Sequence, residues 1–410
     1  MKHRHLTPLL LPLLALLAMG NRVHGEATEW QSVTLNDIGY LPLENLRSFY
    51  KLTPVAPPRN DRTGSHTIGN ADVNIRFTPG ERDMQLGGYH CQLAHPVRQD
   101  EKGELLISRM DIVKLIDPLL RPTYISHRRK IRTIVIDPGH GGHDAGATAS
   151  GVREADCTLL VAQRLRDILR QRGYDVILTR EQNQYLSDQQ RIDRANAAPD
   201  ALFLSLHLNS GRSDIRGIET YAMYPAGKGE PALPGNIHDS SNAALAFALQ
   251  ASLISRTGAQ DGGFRRARYS LLSSVNCPAA LVELGYITHS EEVNLLGTDT
   301  YQTQLAQALA DGIDTFANVA NPATALQSKP DTATSDTPPR PYKADPPPPA
   351  KNREEADKTS AKKKPASNRR SNNNARRKNS NIRSKNTPAR RTNRSSRQRQ
   401  QNTRTRRNRT

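Results

Sequence analysis

Three residues of the types that hold metal ions occur in the middle of the sequence. His140 lies in a glycine-rich stretch after the apolar residues 134–136, and Glu154 and His207 follow further along the chain. Two histidines and one carboxylate, with a fourth position left for water, form a ligand set of catalytic zinc enzymes. Their separations are too long to be diagnostic. The same residues can also be interpreted as hydrogen-bonded loop histidines and a glutamate favoured by a helix start.

A fourth acidic residue is unusual because of its neighbours. Glu283 lies in PAALVELGY, residues 278–286, an apolar run that predicts a buried strand. A carboxylate in such a strand is costly unless a nearby group uses its charge. A metal ion with its water would supply that use. A salt bridge to Arg266 or Arg268 is an equally open interpretation.

Distant residues of this kind need a scaffold that brings them together. Between residues 131 and 320 apolar strands alternate with amphipathic helices, including a predicted helix over 154–172 that ends at Gly173. In the strand ALFLSLHLN, the period of two places Ser205 and His207 on one face. The pattern predicts an α/β domain, a mostly parallel sheet with helices on both faces, whose strand ends meet at one edge.

Five segments follow one another in this region: IVIDPGHGGHDAGATASGVREAD, GYDVILTR, RIDRANAAPDALFLSLHLN, GIETYAMYP and CPAALVELGYITHSEE. The series covers about residues 131–318. It resembles the zinc-dependent N-acetylmuramoyl-L-alanine amidase family, amidase_3 type. The resemblance implies Zn²⁺ ligands at His140, Glu154 and His207, with Glu283 as the catalytic carboxylate. It also implies hydrolysis of the amide bond between N-acetylmuramic acid and L-alanine in peptidoglycan, for wall remodelling or cell separation.

The same resemblance implies roles for neighbouring positions. His143 is expected to be a loop or cleft-rim residue and not a further ligand. Asp137 is expected to support the loop or a ligand imidazole. Structural roles are expected for Asn209, Arg180 and Arg191, which match motif positions of the family.

Two positions depart from the family pattern. His289 stands where an asparagine is usual, and Ala155 stands where a lysine is common. Neither change removes a catalytic atom, so both are expected to adjust substrate fit. Some family members insert a long autoinhibitory helix after the strand that GIETYAMYP resembles. Only AGKGEPALPGNIHDS intervenes here, so self-inhibition of that kind is not expected.

Other functions fit parts of the same pattern. A different zinc peptidase that cuts within peptidoglycan stem peptides would use the same chemistry. A noncatalytic wall-binding protein is the alternative from another class, and it would hold no zinc. A third interpretation is an exported polycation that binds extracellular DNA through its basic residues.

Composition divides the chain into five predicted parts. Residues 1–25 predict a signal peptide, because a basic start precedes a short apolar run and a small-residue cleavage site. Residues 26–129 predict a small α+β accessory domain, and 130–320 the catalytic domain. Residues 321–350 predict a proline-rich linker, and 351–410 a disordered polycationic tail. The accessory domain resembles the copper amine oxidase N-terminal-like domain, without a His/Cys cluster that would support a metal.

The positive charge is concentrated in the C-terminal part. Residues 321–410 carry 25 Lys and Arg against 6 Asp and Glu, which leaves 33 against 34 for the first 320 residues. A partner of opposite charge is expected, namely anionic envelope polymers or lipid headgroups. Intracellular nucleic acid is not expected, because the signal peptide predicts export and the tail lacks aromatic residues for base stacking. A solvated tail without a dedicated partner is the alternative.

The remaining features predict an exported protein without a membrane span. No segment after the signal peptide approaches transmembrane length, so a periplasmic or wall-associated location is expected. The three cysteines, Cys91, Cys157 and Cys277, are too few for a disulfide framework or a cysteine-rich zinc site. They are expected to be small buried hydrophobes.

Overall fold

A computed structural model describes residues 30, 32–56, 61, 63–125, 128–225 and 237–320. The predicted signal peptide, linker and tail lie outside the described residues. The described strands are β1 (Val33–Leu35), β2 (Ile38–Pro42), β3 (Thr53–Val55), β4 (His66–Gly69), β5 (Asn74–Phe77), β6 (Asp83–Leu86), β7 (Tyr89–Gln92), β8 (Arg98–Gln99), β9 (Leu105–Ser108), β10 (Thr133–Pro138), β11 (Thr148–Ala149), β12 (Val152–Arg153), β13 (Asp175–Leu178), β14 (Ala201–Asn209), β15 (Ile218–Met223), β16 (Asp261–Ala267) and β17 (Ala279–Tyr286).

The helices follow the amphipathic segments of the sequence. They are α1 (Leu43–Tyr50), α2 (Arg109–Asp111), which continues through a π-helical turn (Ile112–Ile116) into α3 (Asp117–Leu120), α4 (Glu154–Gln171), α5 (Asp188–Ala197), α6 (Asp239–Thr257), α7 (Ser270–Ser274), α8 (Ser290–Leu296) and α9 (Asp299–Ala320). A short 3-10 turn spans Pro122–Tyr124. None of the described helices is long and apolar enough to span a bilayer.

One large sheet runs in the order β13-β10-β14-β17-β15-β16-β7-β6-β5-β4-β3. Strands β13, β10, β14 and β17 are parallel, and β15 pairs antiparallel with β17 and parallel with β16. The central strands are apolar almost throughout, because helices cover both of their faces. Helices α4, α6 and α9 pack on one face, and α5 and α7 pack on the other. For the strands of the catalytic region, β10 and β13 to β17, the α/β prediction with a mostly parallel sheet is confirmed, while β16 and α7 were not predicted.

The N-terminal strands are added to the free edge of this sheet. Strands β3 to β7 form an antiparallel series, and β7 lies parallel to β16 with Cys91 opposite Phe264. A separate four-stranded sheet, β1-β2-β9-β8, completes the region. Residues 30–125 therefore have the mixed strand and helix content that the sequence predicts. The resemblance to the copper amine oxidase N-terminal-like domain stays a prediction.

All three cysteines are buried, as the sequence predicts. Burial raises the pKa of Cys157 and of Cys277 to about 12. Their thiols are therefore protonated at neutral pH and poor nucleophiles, which is the behaviour of small core residues.

Candidate active site

The candidate residues meet where β10, β14 and β17 end side by side. His140 follows the last residue of β10 by two positions, His207 lies near the end of β14, and Glu154 is the first residue of α4. Strand register places His207 directly beside Glu283 of β17. The carboxyl ends of parallel strands share one edge of a sheet, and the loops that follow them converge there.

Three side chains form one compact group of potential metal ligands. His140 Nε2 lies 3.1 Å from Glu154 Oε1, and His207 Nδ1 lies 2.9 Å from the same oxygen. The ring centroids of the two histidines are 5.0 Å apart. One potential ligand atom from each residue lies within 4.8 Å of the others. The structure thus brings together all three residues for which the resemblance implies a ligand role.

Glu154 is held ionised by its neighbours despite burial. Burial disfavours its charge, but hydrogen bonds from His140 and His207 and from the Leu208 N–H keep the pKa of its carboxyl well below the usual value. The hydrogen bond with Glu154 raises the pKa of His140 to about 9, against the opposing effect of burial, with a smaller contribution from Asp144. A divalent cation would replace the proton on this histidine.

Two glycines make room for the imidazoles. A Cβ added to Gly139 would lie 2.3 Å from Cε1 of His207, and one added to Gly146 would lie 2.7 Å from Cδ2 of His140. His140 has a φ of 59°, in the left-handed region that few non-glycine residues adopt. The loop therefore curls tightly around the ligand atoms. The donor set of two imidazoles and a carboxylate, in a space closed by backbone, fits a zinc ion.

Asp137, near the end of β10, anchors the loop that follows this strand. Its carboxylate is fully buried and accepts hydrogen bonds from Arg191 Nη1 at 2.7 Å, Ser205 Oγ at 2.9 Å and Thr179 Oγ1 at 2.5 Å. Arg191 in turn donates through Nη2 to the backbone oxygen of His140 at 2.9 Å. Asp137 therefore supports the loop through Arg191, as one of the two expected roles requires. Among the described residues, it forms no hydrogen bond with the imidazole of His140 or His207.

Arg180 also supports this loop. The guanidinium donates to the backbone oxygens of Pro138 at 2.9 Å, Gly139 at 2.8 Å and Ala155 at 2.7 Å. Burial lowers the pKa of Arg180 to about 10, with a further contribution from the nearby Arg191. Two buried arginines therefore satisfy the loop carbonyls, as the structural roles expected for them require.

Glu283 faces the ligand group from the neighbouring strand. Its Oε2 is buried and has no hydrogen-bond partner among the described residues. Burial, partly opposed by His207, raises the pKa of Glu283 to about 7. A carboxyl that titrates near neutrality can both accept and return a proton.

The alternative of a salt bridge to Arg266 is not realised, since its guanidinium donates to the backbone oxygens of Met223 and Lys114. Arg268, the other arginine considered, places its guanidinium over the ring of Tyr224. Within the described part of the chain, Glu283 forms no salt bridge with either arginine. Its carboxylate therefore faces the ligand group and not a guanidinium.

His143 lies outside the ligand group. Its exposed ring stacks on Tyr185 at a centroid distance of 4.3 Å, as a residue at the rim would. His289 caps α8 by accepting a hydrogen bond from the Glu292 N–H, so its imidazole has a local structural use. His143 and His289 therefore have contacts of their own away from the ligand group formed by His140, Glu154 and His207.

Comparison with known proteins identifies the family. Residues 134–315 match the amidase_3 model, described as N-acetylmuramoyl-L-alanine amidase. A sporulation-specific N-acetylmuramoyl-L-alanine amidase of Bacillus subtilis is 34% identical over 188 residues, which cover 45% of this chain and 68% of that protein. This chain belongs to the N-acetylmuramoyl-L-alanine amidase family. The matched region is therefore the catalytic domain of a peptidoglycan amidase, a hydrolase of an amide bond.

Two further comparisons each cover 45% of the amidase. The uncharacterized protein YqiI of Bacillus subtilis is 31% identical over 185 residues, which are 45% of this chain and 84% of that protein. The solved structure of the amidase AmiC2 of Nostoc punctiforme is 33% identical, covers 45% of this chain and 96% of that chain, and gives a TM-score of 0.41.

Sequence analysis missed two acidic residues of the amidase site. Asp144 accepts from Nδ1 of His140 at 2.8 Å and thereby orients the ring. Glu219 of β15 stands opposite Glu283 and is almost fully buried. A carboxylate inside the apolar strand GIETYAMY is the same signal that marked Glu283, so Glu219 could have been found. Its oxygens bind Asn209 Nδ2 at 3.0 Å, Tyr221 OH at 2.6 Å, Tyr286 OH at 3.2 Å and Arg265 Nε at 3.0 Å.

Proposed function

We propose that this amidase is zinc-dependent and cleaves the bond between the lactyl group of N-acetylmuramic acid and L-alanine, with Glu283 as the catalytic carboxylate. The observation that carries the proposal is the convergence of His140, Glu154 and His207 within 4.8 Å, beside a buried oxygen of Glu283 that has no hydrogen-bond partner in the described part of the chain. Such an oxygen is costly unless the reaction uses it.

The residues divide the chemistry between them. His140, Glu154 and His207 would hold the zinc ion, which when bound acts as a Lewis acid toward a carbonyl and lowers the pKa of water. Glu283 would take a proton from the attacking water and return it to the departing amine of L-alanine. Asp144 would keep the ring of His140 oriented through its 2.8 Å hydrogen bond to Nδ1. The products are a free stem peptide and a glycan without it.

The test uses Glu283→Gln and, as a matched control, Glu181→Gln on the exposed surface. We expect Glu283→Gln to retain zinc, measured by elemental analysis, and to lose at least about 100-fold in the hydrolysis rate of wall sacculi. Glu181→Gln should keep both. Mass spectrometry of the fragments should show cleavage at the muramoyl bond.

Each competing function gives a different result in these measurements. Cuts within the stem peptide would show the other zinc peptidase. A protein that binds sacculi without holding zinc or releasing fragments would be a noncatalytic wall-binding protein. Hydrolysis by Glu283→Gln at the wild-type rate would refute the role assigned to this carboxylate.

We further propose that the protein is exported and acts in the periplasm or at the cell wall. The substrate of the family lies in the wall, and the first 25 residues have the composition of a signal peptide. The basic residues 351–410 would hold the enzyme near anionic envelope polymers or lipid headgroups. N-terminal sequencing of the mature protein after cell fractionation tests the export step.

A further inference from the structure

The sheet face that carries Glu283 continues beyond the catalytic strands. Glu283 stands opposite Glu219 of β15, and Tyr221, two residues further on the same face, stands opposite Arg265 of β16. The next strand is β7, which belongs to the N-terminal region, with Cys91 opposite Phe264. One face of the sheet thus runs from the candidate active site onto strands that the family match does not cover.

The side chains of β7 alternate between the core and this face. Cys91 is buried beside Phe264, and the ring of Tyr89 contacts that of Phe247 in α6. The side chains of Cys91 and Tyr89 therefore lie on the face of the sheet that α6 covers. His90 and Gln92 therefore point to the opposite side, with Glu283. In agreement, a Cβ added to Gly263 of β16 would lie 3.1 Å from the Cβ of His90.

These side chains line a cleft that joins the two regions. It has a volume of about 450 Å³ and reaches from Glu219, the direct neighbour of Glu283, to β6 and β7. Its lining carries both signs of charge. Its polar and charged lining includes Arg82, Asp83, His90, Gln92, Arg216 and Arg265.

We propose that this cleft binds the stem peptide of the substrate, so that the N-terminal region supplies the part of the site that reads the peptide's far end. The proposal rests on the muramoyl amidase function proposed above. From β17 to β7 there are three strand-to-strand steps of about 4.8 Å, or about 14 Å in total. An extended peptide covers about 3.3 to 3.6 Å per residue, so about four residues reach His90 while two residues reach only β15 or β16.

The charges of the cleft suit a peptide better than a glycan. Arg265 pairs with Glu219 at 3.0 Å and Arg216 pairs with Glu291 at 2.7 Å, but both guanidiniums are partly exposed and can exchange these partners for the carboxylates of a stem peptide. The partly exposed carboxylate of Asp83 can meet an amine. His90 and Asp83 are already fixed toward each other by a 2.7 Å contact between Nδ1 and Oδ2. Apart from the imidazole of His90, the only aromatic residue in the described lining is Phe264, which is fully buried. The described lining therefore offers no exposed phenylalanine, tyrosine or tryptophan ring on which a sugar could stack.

The test variant is His90→Ala, because the hydrogen bond from the His90 backbone N–H to Asp261 does not depend on its side chain. His66→Ala is the matched control. His66 is an exposed histidine in the same sheet. It pairs across the strands, through Phe77 and Met84, with Cys91, so its side chain lies on the face of the sheet opposite to that of His90.

The measurement is the ratio of kcat/KM for a synthetic muramoyl peptide with a five-residue stem to that for one with a two-residue stem. We expect His90→Ala to lower this ratio about fivefold to tenfold, mainly through a higher KM for the long stem, as for the loss of a polar contact. His66→Ala should leave it unchanged. Asp83→Asn should lower it only for stems with a free side-chain amine.

The possible failures are distinguishable. A ratio that stays within twofold of wild type in both His90→Ala and Asp83→Asn would overturn the proposed peptide cleft, while hydrolysis of both substrates by the wild type would leave the amidase function in place. A wild-type enzyme that cleaves neither substrate would refute the proposed function itself.

Discussion

The backbone at Gly139 offers a direct test of whether the ligand group holds a metal. An added Cβ would lie 2.3 Å from Cε1, 2.6 Å from Nε2 and 2.7 Å from Nδ1 of His207. Carbon atoms in contact are about 3.5 Å apart, so in Gly139→Ala the imidazole must move by about 1 Å. Metal–ligand distances tolerate only about 0.2 Å, so the displaced ring would no longer coordinate.

We therefore expect Gly139→Ala to weaken zinc binding by at least about 100-fold, since loss of an orienting partner alone costs 10-fold to 100-fold. Titration against a zinc-selective chelator measures this affinity. Neither Gly139 nor Gly211 has a left-handed φ, and Gly211→Ala is the control because its nearest neighbour would be Tyr286 Cε1 at 3.7 Å.

Thermal unfolding of the metal-free proteins separates a local change from a loss of fold. The side chain of His207 is 20% exposed and can rotate toward solvent, so the metal-free Gly139→Ala protein should unfold near the wild-type temperature. Zinc affinity within threefold of wild type in Gly139→Ala would refute the reasoning, since the alanine cannot be accommodated with the imidazole in its present place.

Two further predictions concern pH and the tail. The pKa of Glu283 is raised from 4.5 to about 7 in the folded, metal-free protein, so its contribution to stability is complete below about pH 4.5 and is lost as the pH rises through 7. In urea unfolding of the metal-free proteins, the free energy of unfolding of Glu283→Gln should therefore rise relative to that of wild type between pH 5 and pH 8, by up to about 3 kcal/mol. A difference in unfolding free energy that does not change with pH would contradict the raised pKa. Truncation after residue 350 should leave turnover of soluble muropeptides unchanged and weaken retention on isolated walls in a salt-sensitive manner. Equal retention of the full-length and truncated proteins at low salt would show that the tail has no such role.

Much of the catalytic fold could be predicted because its signals are local. The helix predicted over 154–172 runs from Glu154 to Gln171, and the strand predicted over 201–209 has those bounds in the structure. Both depend on apolar periodicity and on a glycine that ends the helix, which neighbouring residues encode. Strand β16 was missed because its sequence, DGGFRRA, lacks an apolar run, and only Phe264 and the neighbouring strands give it a buried face.

The sequence predicted which residues form the candidate site but not the hydrogen bonds that hold them in place. His140, Glu154, His207 and Glu283 were identified because ligand-type residues occur at strand ends or in apolar runs and because the motifs resemble a family. The hydrogen bond between Asp137 and Arg191 was not predicted, because these residues are 54 positions apart and meet only in the folded chain.

The sequence by itself determined which elements form, which residues can bind a metal and where the positive charge lies, because periodicity, residue chemistry and composition are properties of neighbouring positions. Only the tertiary structure decided that the N-terminal strands extend the catalytic sheet and that His90 shares a cleft with Glu219. Strand order and the facing of side chains across strands depend on contacts between distant segments, which no local pattern records.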